Sequence, residues 1–272
     1  MNHLDLFSGI GGFAIAAENV WHAEHRVVAF CESDPFCQAV LKKHWPCTPI
    51  VGDITTYHPR CLGPIGLLTG GFPCQPFSRV GQKRGTKDDR FLWPAMLRII
   101  RHTHPTWIIA ENVTGLINIA NGLVFERVLA DLEDQNYDVQ PFVIPALAVN
   151  APHRRDRVWI VAHARGLTTS GGITAENAKR ERRRGGRHGN THRSERQTET
   201  ARPNSSRDRW EEKWIAAATR LCALDDGLSR GLVRPRGWRH AALKAAGNAI
   251  VPQVAQVIMT AIKTTETANV RT

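Results

Sequence analysis

Short apolar runs alternate with amphipathic stretches over residues 2–164, and this alternation predicts a parallel sheet wrapped by helices. The predicted strands are Asn2–Phe7, Val27–Glu32, Thr48–Gly52, Ile65–Thr69, Trp107–Glu111, Val139–Ile144 and Arg157–Ala162. Apolar residues that recur every three or four positions predict helices at Gly12–Trp21, Pro35–His44, Leu92–His102, Val124–Gln135 and Val254–Thr264. The pattern therefore indicates an α/β fold.

The regular pattern stops after the seventh predicted strand. Residues 164–206 are rich in Arg, Gly, Ser, Thr and Asn and contain few apolar side chains, so we expect a mobile insert or a very small subdomain there. Apolar residues return at Trp210–Leu224. We therefore divide the chain into a core over 1–163, a small region over 164–240 whose first part, 164–209, is mobile, and a C-terminal segment over 241–272.

Positive charge is concentrated in the same insert. The 272-residue chain has a net charge of +11, and residues 165–209 contain twelve basic and five acidic residues. Clustered Arg and Lys displace counterions from phosphates, so the segment could bind a polyanion such as a nucleic acid. On charge alone, a solvated insert without a partner is an equally good interpretation.

Composition excludes several classes of protein. Six cysteines are too few for a disulfide scaffold, and their spacing fits no zinc site, so we expect no metal. The apolar stretches are too short for a membrane span, and the first residues lack the pattern of a signal peptide. We expect a soluble, reduced, cytoplasmic protein that does not bind a membrane.

The first motif is a glycine-rich loop, Asp5–Phe13, between the first strand and the first helix. Glu32 lies twenty residues after Gly12 at the end of the second strand, where a carboxylate can bind ribose hydroxyls. Asp53 ends the third strand, so three strand ends carry turns or acids at one edge of the sheet. This arrangement indicates a nucleotide-type ligand, although ordinary turns would look similar. No Lys follows the glycines as in a P-loop, which disfavours a triphosphate.

The second motif, Thr69–Ser78, places Cys74 between two prolines in a glycine-rich loop after the fourth strand. A rigid loop of this kind holds a thiol in one direction, and the thiolate is a nucleophile where charges or dipoles lower its pKa. A single cysteine is more often a small buried apolar residue. That interpretation is given to Cys31, Cys37, Cys47, Cys61 and Cys222.

Two further motifs carry charged side chains at strand ends. Glu111 ends the apolar fifth strand, where poor solvation can raise its pKa and let it carry a proton, or where it simply caps a turn. Arg155 and Arg157 precede and begin the seventh strand, and alternate residues of a strand share one face. Paired guanidinium groups suit a carboxylate, a phosphate or a carbonyl oxygen.

In this order the motifs resemble the DNA (cytosine-5-)-methyltransferase family, in a short, phage-like form. The matching segments are 5–13, 70–78, 111–113, 154–157 and 246–253. The resemblance implies a Rossmann-like methyltransferase core with a mostly parallel seven-stranded sheet, and a small, basic, irregular target-recognition region at 164–240. It also implies transfer of a methyl group from S-adenosylmethionine to carbon 5 of a cytosine flipped out of a specific duplex DNA sequence, by a monomer that serves DNA restriction-modification.

The resemblance also implies a role for individual residues. Cys74 matches the nucleophile that attacks carbon 6 of cytosine, and Glu111 matches the acid at ring nitrogen 3 and the amino group. Arg155 and Arg157 match arginines near the base, one of which reaches its carbonyl oxygen. The implied cofactor contacts are Phe7, Gly9, Gly11, Gly12, Glu32 at the ribose, Asp53 at the adenine, Ile54, Pro73 and Asn248, which closes the pocket.

The chain departs from the family pattern in two places, and other functions stay open. His153 stands where many members have Gln, and only about 90 residues separate the fourth motif from the last. An RNA-directed cytosine-5 methyltransferase of the same family would also use the basic insert. The remaining alternatives are a catalytically silent DNA-binding module, which the intact motifs disfavour, and a basic coating protein, which would not need them.

The basic insert generates a first prediction. Replacing its four most clustered arginines by Gln should weaken DNA binding at low salt on all sequences alike, because phosphate contacts carry no base identity. Each lost contact should lower the slope of log affinity against log salt by about 0.9. The variant changes Arg182, Arg183, Arg184 and Arg187. A salt titration of binding measures the slope, and an unchanged slope would favour a solvated insert.

Overall fold

The computed structural model describes residues 1–59, 62–74, 91–166 and 238–269. They belong to one compact unit, which is made of Met1–Gly166 and Val233–Thr272. Apart from its first and last three residues, the predicted target-recognition region, 164–240, lies outside the described residues. The mobility of residues 164–209 and the ordered stretch at Trp210–Leu224 therefore stay predictions.

One sheet of seven strands runs through the described part of the chain. The strands are β1 (Asn2–Leu6), β2 (Arg26–Cys31), β3 (Ile50–Val51), β4 (Leu67–Gly70), β5 (Trp107–Val113), β6 (Tyr137–Pro145) and β7 (Asp156–Ala164). Their order is β3-β2-β1-β4-β5-β7-β6. The first five are parallel and β7 is antiparallel to both of its neighbours, which confirms a mostly parallel, Rossmann-like sheet.

Two features of this order position the site. The chain leaves β3 at one edge and returns as β4 beside β1, so the direction of winding reverses between β1 and β4, where open α/β sheets bind their ligands. β6 and β7 are joined by ten residues without a crossover helix, so they pair as an antiparallel hairpin. That hairpin carries Arg155 and Arg157 towards the end of β5.

Six α-helices are described. They are α1 (Gly12–Trp21), α2 (Pro35–His44), α3 (Trp93–Thr103), α4 (Leu123–Glu133), α5 (Trp238–Asn248) and α6 (Pro252–Asn269), with short 3-10 segments at His22–Glu24, Thr114–Gly122 and Ala146–Val149. The predicted bounds of α1 and α2 are confirmed, whereas α5 was not predicted. Leu243 in α5 is exposed and Ala245 is buried, so this helix lacks the wide apolar stripe that reveals a helix in a sequence.

Both faces of the sheet are covered, and alternate residues of the central strands divide between the two layers. Ile108 and Ala110 of β5 pack with Met96 of α3 and Val128 of α4 on one face. On the other face, Ile109 packs with α1 and α6. Strands that are buried on both faces read as continuous apolar runs, which explains why the sequence pattern located them.

Helix α6 forms part of this core. Among the described residues, Ala241–Ala268 has the length and apolar composition of a membrane span. Residues 249–251 interrupt the stretch, since they lie outside both α5 and α6. The buried side chains of α6 pack against Phe13, Ala16, Ala17 and Val20 of α1, and they are Val254, Ala255, Ile258, Met259 and Ile262. This packing accounts for the apolar composition of α6.

A chain of hydrogen bonds crosses the interior next to β1. The nitrogens His25 Nε2 and His3 Nδ1 lie 2.9 Å apart, and His3 Nε2 lies 2.7 Å from Thr69 Oγ1, which donates to Asp5 Oδ1 at 2.6 Å. An ionised Asp5 accepts only, so His3 then donates through Nε2 to Thr69 and accepts at Nδ1 from His25. His3, Asp5 and Thr69 are fully buried.

Burial is the largest cause of the shifted pKa values of the ionisable groups in this hydrogen-bonded network, His3, Asp5 and His25. It raises the pKa of the Asp5 carboxyl to about 7, although hydrogen bonds from Thr69 and Ser8 oppose the shift. Burial lowers the pKa of His25 to about 4 and that of His3 well below its usual range. The histidines therefore stay neutral at physiological pH, while Asp5 exchanges its proton near neutrality.

Replacing Asp5 by Asn should change how stability depends on pH. The folded protein keeps the Asp5 proton up to about pH 7, whereas the unfolded chain loses it near pH 4. The wild type therefore loses stability as the pH rises from about 4 to 7, and Asp5→Asn does not titrate. The difference in unfolding free energy should shift in favour of Asp5→Asn by up to about 4 kcal/mol across that window.

Urea unfolding at pH values from 4 to 8 measures this difference, and the contributions of the two histidines cancel because both proteins contain them. Asp138→Asn, which removes an exposed carboxylate on β6, is the matched control for the loss of one negative charge. A difference between Asp5→Asn and the wild type that stays constant at all pH values would contradict the raised pKa of Asp5.

Candidate active site

A cavity of about 400 Å³ opens at the carboxyl ends of β1 and β4. Nine of the thirteen predicted site residues line it, and they are Phe7, Gly9, Glu32, Pro73, Cys74, Glu111, Arg155, Arg157 and Asn248. Gly12 lines a smaller neighbouring cavity of about 50 Å³. Gly11, Asp53 and Ile54 line neither of the two. The structure thus brings together residues that are up to 241 positions apart in the chain.

The loop between β1 and α1 forms one wall of the cavity. Its backbone is left-handed at Phe7 (φ 52°), Gly9 (φ 54°) and Gly11 (φ 88°), which turns the chain sharply. Glu32 fastens this loop, since its Oε2 accepts from the Gly9 amide at 2.7 Å and its Oε1 accepts from the Asp34 amide at 2.8 Å. Each carboxylate oxygen keeps a second lone pair with which it can accept from a ligand hydroxyl.

Gly11 and Gly12 are required for packing. A Cβ on Gly11 would lie 2.6 Å from the Trp45 ring, so only a glycine lets the residue that follows α2 pack this closely. A Cβ on Gly12 would lie 2.7 Å from Ile250 Cγ1, so the absence of a side chain at Gly12 lets the C-terminal segment pack against the loop. These two glycines of the motif therefore allow the loop to pack against the rest of the protein, in addition to any close approach of the loop to a ligand.

Asp53 and Ile54 lie in the turn after β3. Asp53 is exposed, and its Oδ1 accepts from the amide and the hydroxyl of Thr55, which lowers the pKa of the carboxyl. Ile54 is buried in the core, and its carbonyl accepts from Arg98 at 2.7 Å. The adenine contact implied for Asp53 stays a prediction, because this turn lies outside the cavity lining.

Cys74 is half-buried in the loop that follows β4. Its backbone pairs with Phe91 in an isolated antiparallel bridge, and Asn112 Nδ2 donates to the Phe72 carbonyl at 2.8 Å, which ties the loop to β5. Burial raises the pKa of the Cys74 thiol to about 11, so the thiol holds its proton at neutral pH. The rest of the motif, residues 75–78, lies outside the described part of the chain.

Glu111 also lines the cavity and is buried near the end of β5. A Cβ on Gly71 would lie 3.3 Å from Glu111 Oε2, so the glycine leaves room for the carboxyl beside the Cys74 loop. Arg157 Nε lies 3.0 Å from Glu111 Oε1. Burial raises the pKa of Glu111, against the opposing charges of Arg157 and Arg155. The site therefore combines a thiol with a carboxyl group that is able to carry a proton.

The C-terminal segment forms the remaining wall. Arg155 Nη2 donates to the Gly247 carbonyl at 2.8 Å and to the Ala249 carbonyl at 2.6 Å. Lys244 Nζ lies 3.2 Å from Asp34 Oδ2 at the start of α2. These contacts lie on both sides of Asn248, which lines the cavity.

Sequence reasoning missed part of this site and misjudged one cysteine. Asn112 belongs to a motif that the sequence analysis identified, but no role was predicted for it. The pairing of Lys244 with Asp34 could not be predicted, because 210 positions separate the two residues. Cys31 and Cys37 are buried as predicted, and Cys37 lines the cavity. The prediction for Cys47 was wrong, since it is exposed in the turn after α2. Cys61 and Cys222 lie outside the described residues.

Comparisons with known proteins identify the family. The C-5 cytosine-specific DNA methylase family matches residues 1–223. The type II methyltransferase M.HgiBI of Herpetosiphon aurantiacus is 33% identical over 66% of this chain and 41% of its own length. M.DsaV of Dactylococcopsis salina is 35% identical over 59% of this chain and 45% of its own length. The chain thus spans less than half the length of these two relatives.

A solved structure supports the fold. A mutant of Spodoptera frugiperda DNMT2 is 25% identical, covers 64% of this chain and 53% of its own, and superposes with a TM-score of 0.52.

Gly11 allows a test of its packing role without a ligand. Gly11→Ala should lower the unfolding free energy by about 3 kcal/mol, because the new methyl group meets the Trp45 ring and Ala is strained in a left-handed backbone. In a Trp45→Phe background, which removes the outer ring atoms, the loss should fall to about 1 kcal/mol. Urea unfolding of all four proteins completes the cycle, and equal losses in both backgrounds would rule out the packing role.

Proposed function

The chain belongs to the C-5 cytosine-specific DNA methylase family, and from this premise we propose that it transfers a methyl group from S-adenosylmethionine to carbon 5 of a cytosine flipped out of duplex DNA. One observation carries the proposal. A single cavity is lined by Cys74 and Glu111 together with Phe7, Gly9 and Glu32. A nucleophile and a proton donor thus share a space with a cradle of the kind that binds nucleosides.

The cavity fits S-adenosylmethionine in size and charge. Its volume of about 400 Å³ lies in the range of small-molecule sites. The charged side chains of its lining are of both signs, which suits a ligand that itself has positive and negative groups; they are Glu32, Asp34, Glu111, Arg155, Arg157 and Lys244. Glu32 would hold the ribose hydroxyls, and Phe7, Gly9 and Asn248 would enclose the ligand. When bound, S-adenosylmethionine supplies an electrophilic methyl group on its sulfonium sulfur.

Cys74 supplies the nucleophile. Carbon 5 of cytosine is a poor nucleophile until a thiolate adds to carbon 6, which moves electron density to carbon 5. Burial keeps the Cys74 thiol protonated at neutral pH, so the thiol must lose its proton as the base arrives. The raised pKa also protects the resting enzyme from alkylation and oxidation, because the thiolate is the reactive form.

Glu111 and Arg157 act on the base. The raised pKa of Glu111 suits it to give a proton to ring nitrogen 3 while the Cys74 sulfur adds to carbon 6. Arg157, which pairs with Glu111, would donate to the carbonyl oxygen of the base. Carbon 5 then takes the methyl group, which leaves S-adenosylhomocysteine, and loses its own proton to water. The bond from carbon 6 to sulfur breaks, which returns the Cys74 thiolate, and nitrogen 3 gives its proton back to Glu111.

Duplex DNA is the proposed substrate. The base must leave the helix to reach Cys74, since the target atoms are stacked inside a duplex. Residues 164–240, with their excess of Arg, are the proposed target-recognition region, which reads a specific sequence as part of restriction-modification. We further propose that the chain acts as a monomer in a prokaryotic cytoplasm, without a membrane or a metal ion.

Methyl transfer from S-adenosylmethionine labelled in its methyl group tests the substrate directly. The purified chain is incubated with duplex DNA and, separately, with transfer RNA. Label at carbon 5 of cytosine in DNA supports the proposal, and bisulfite sequencing of the product then reads the target sequence. Label in transfer RNA alone would support the RNA-directed branch, and DNA binding without label in either substrate would support the silent module.

The Cys74 mechanism generates its own prediction. Cys74→Ser should lose methyl transfer by at least about a thousandfold while S-adenosylmethionine binding stays within about threefold, because a hydroxyl is a far weaker nucleophile than a thiolate. DNA that carries 5-fluorocytosine should form a covalent adduct with the wild type, since fluorine cannot leave as a proton. Denaturing gels detect the adduct.

Cys47→Ser is the matched control, because Cys47 is an exposed cysteine outside the cavity lining, and it should keep both transfer and adduct formation. The covalent mechanism fails if Cys74→Ser turns over normally. It fails also if no adduct forms under conditions in which ordinary DNA is methylated.

A further inference from the structure

We propose that Arg155 is a positioning residue that holds the turn at 247–249, and with it Asn248, at the cofactor side of the cavity, while Arg157 alone of this pair serves the cytosine. The inference deepens the proposed function and rests on it. It differs from the role implied by the family resemblance, which places both arginines near the base.

The contacts of Arg155 support this division. One nitrogen, Nη2, donates to the Gly247 carbonyl at 2.8 Å and to the Ala249 carbonyl at 2.6 Å. These two carbonyls flank Asn248, so the guanidinium group fixes the backbone on both sides of a single residue. Hydrogen bonds from a charged donor are among the strongest in proteins, and two from one nitrogen define the distance between the carbonyls as well.

The backbone at Arg155 is also specialised. Its φ of 37° is left-handed, which is costly for a residue with a side chain and persists only where the surroundings hold it. The Ala146 amide donates to the Arg154 carbonyl at 2.7 Å and so fastens this bend to the 3-10 turn that follows β6. The bend lies directly before Asp156, where β7 begins.

Arg157 lies two residues further along the chain, inside β7, and has a different partner. Its Nε lies 3.0 Å from Glu111 Oε1, so it is directed at the carboxyl group that would protonate the base. Both arginines line the same cavity, yet one bonds a backbone turn and the other bonds the acid. The two arginines look equivalent in the sequence, but their partners in the structure are different.

The turn needs such a support because α5 contributes little packing of its own. Ala245 is buried, but Leu243 is 73% exposed, and the Lys244 pair with Asp34 is a surface contact of modest strength. Helix α6, in contrast, is anchored in the core. Arg155 acts at the junction between the weakly held helix and the firmly held one, where Asn248 lies.

The test compares Arg155→Gln with the neighbouring Arg154→Gln. Arg154 is 73% exposed and pairs with Asp156 on the surface, so it controls for the loss of one positive charge at this bend. Calorimetry with S-adenosylmethionine gives the dissociation constant, and steady-state methylation of duplex DNA gives kcat and KM. Hydrogen exchange without any ligand follows the Ala249 amide, which bonds to the Ala245 carbonyl at 3.0 Å.

Arg155→Gln should weaken S-adenosylmethionine binding by about 10- to 100-fold and raise its KM in parallel, with kcat at saturating substrates within about threefold. Arg155→Lys should regain part of the affinity, since an ammonium group can donate to both carbonyls. The Ala249 amide should exchange faster in Arg155→Gln. Arg154→Gln should match the wild type in all three measurements.

A fall in kcat with unchanged S-adenosylmethionine binding would overturn the proposal, because that result places Arg155 at the base. Unchanged exchange at Ala249 in Arg155→Gln would overturn it as well. If the wild type itself binds no S-adenosylmethionine, the proposed function fails, while the exchange measurement still decides whether Arg155 holds the turn. If Arg155→Gln does not fold, the same comparison is made between Arg155→Lys and the wild type.

Discussion

The packing of α6 on α1 returns the end of the chain to its beginning, and the cavity depends on it. The buried side chains of the two helices form one cluster with Leu67, Ile109 and Trp159 from the sheet. This apolar contact places Ile250 over Gly12 and so brings Asn248 to the loop that follows β1. Lys263, which donates to the Val20 carbonyl at 2.8 Å, and Glu266, which accepts from Trp107, reinforce the contact.

The cavity then places ionisable groups where burial governs their chemistry. Glu111 takes up a proton more readily than an exposed carboxyl group, even with Arg157 beside it, and the Cys74 thiol gives its proton up less readily than a free thiol. Removing an ion from water costs several kcal/mol, so buried ionisable groups lower the free energy of unfolding. They are tolerated because the core beneath them supplies the stability, and the chemistry that we propose uses the shifted values.

Much of the fold could be predicted from the sequence, because one physical rule governs it locally. Strands covered on both faces are continuous apolar runs, and helices with one buried face repeat every three to four residues, so β1, β2, α1 and α2 were located closely. Helix α5 was missed because its contacts with α2 and with Arg155 join residues far apart in the chain, which no local pattern records. The bounds of β3 shrank to Ile50–Val51 because only these two residues pair with β2.

For the site, the sequence by itself determined the chemical groups: a thiol in a rigid loop, a carboxyl group at the end of an apolar strand, two arginines and a glycine-rich turn. Tertiary structure alone decided how they are used. It assigned Gly11 to the Trp45 ring, Arg157 to Glu111 and Arg155 to a turn more than 90 residues away. Residue type and spacing encode what a side chain can do, whereas its partner and its pKa depend on groups that only folding brings within a few ångströms.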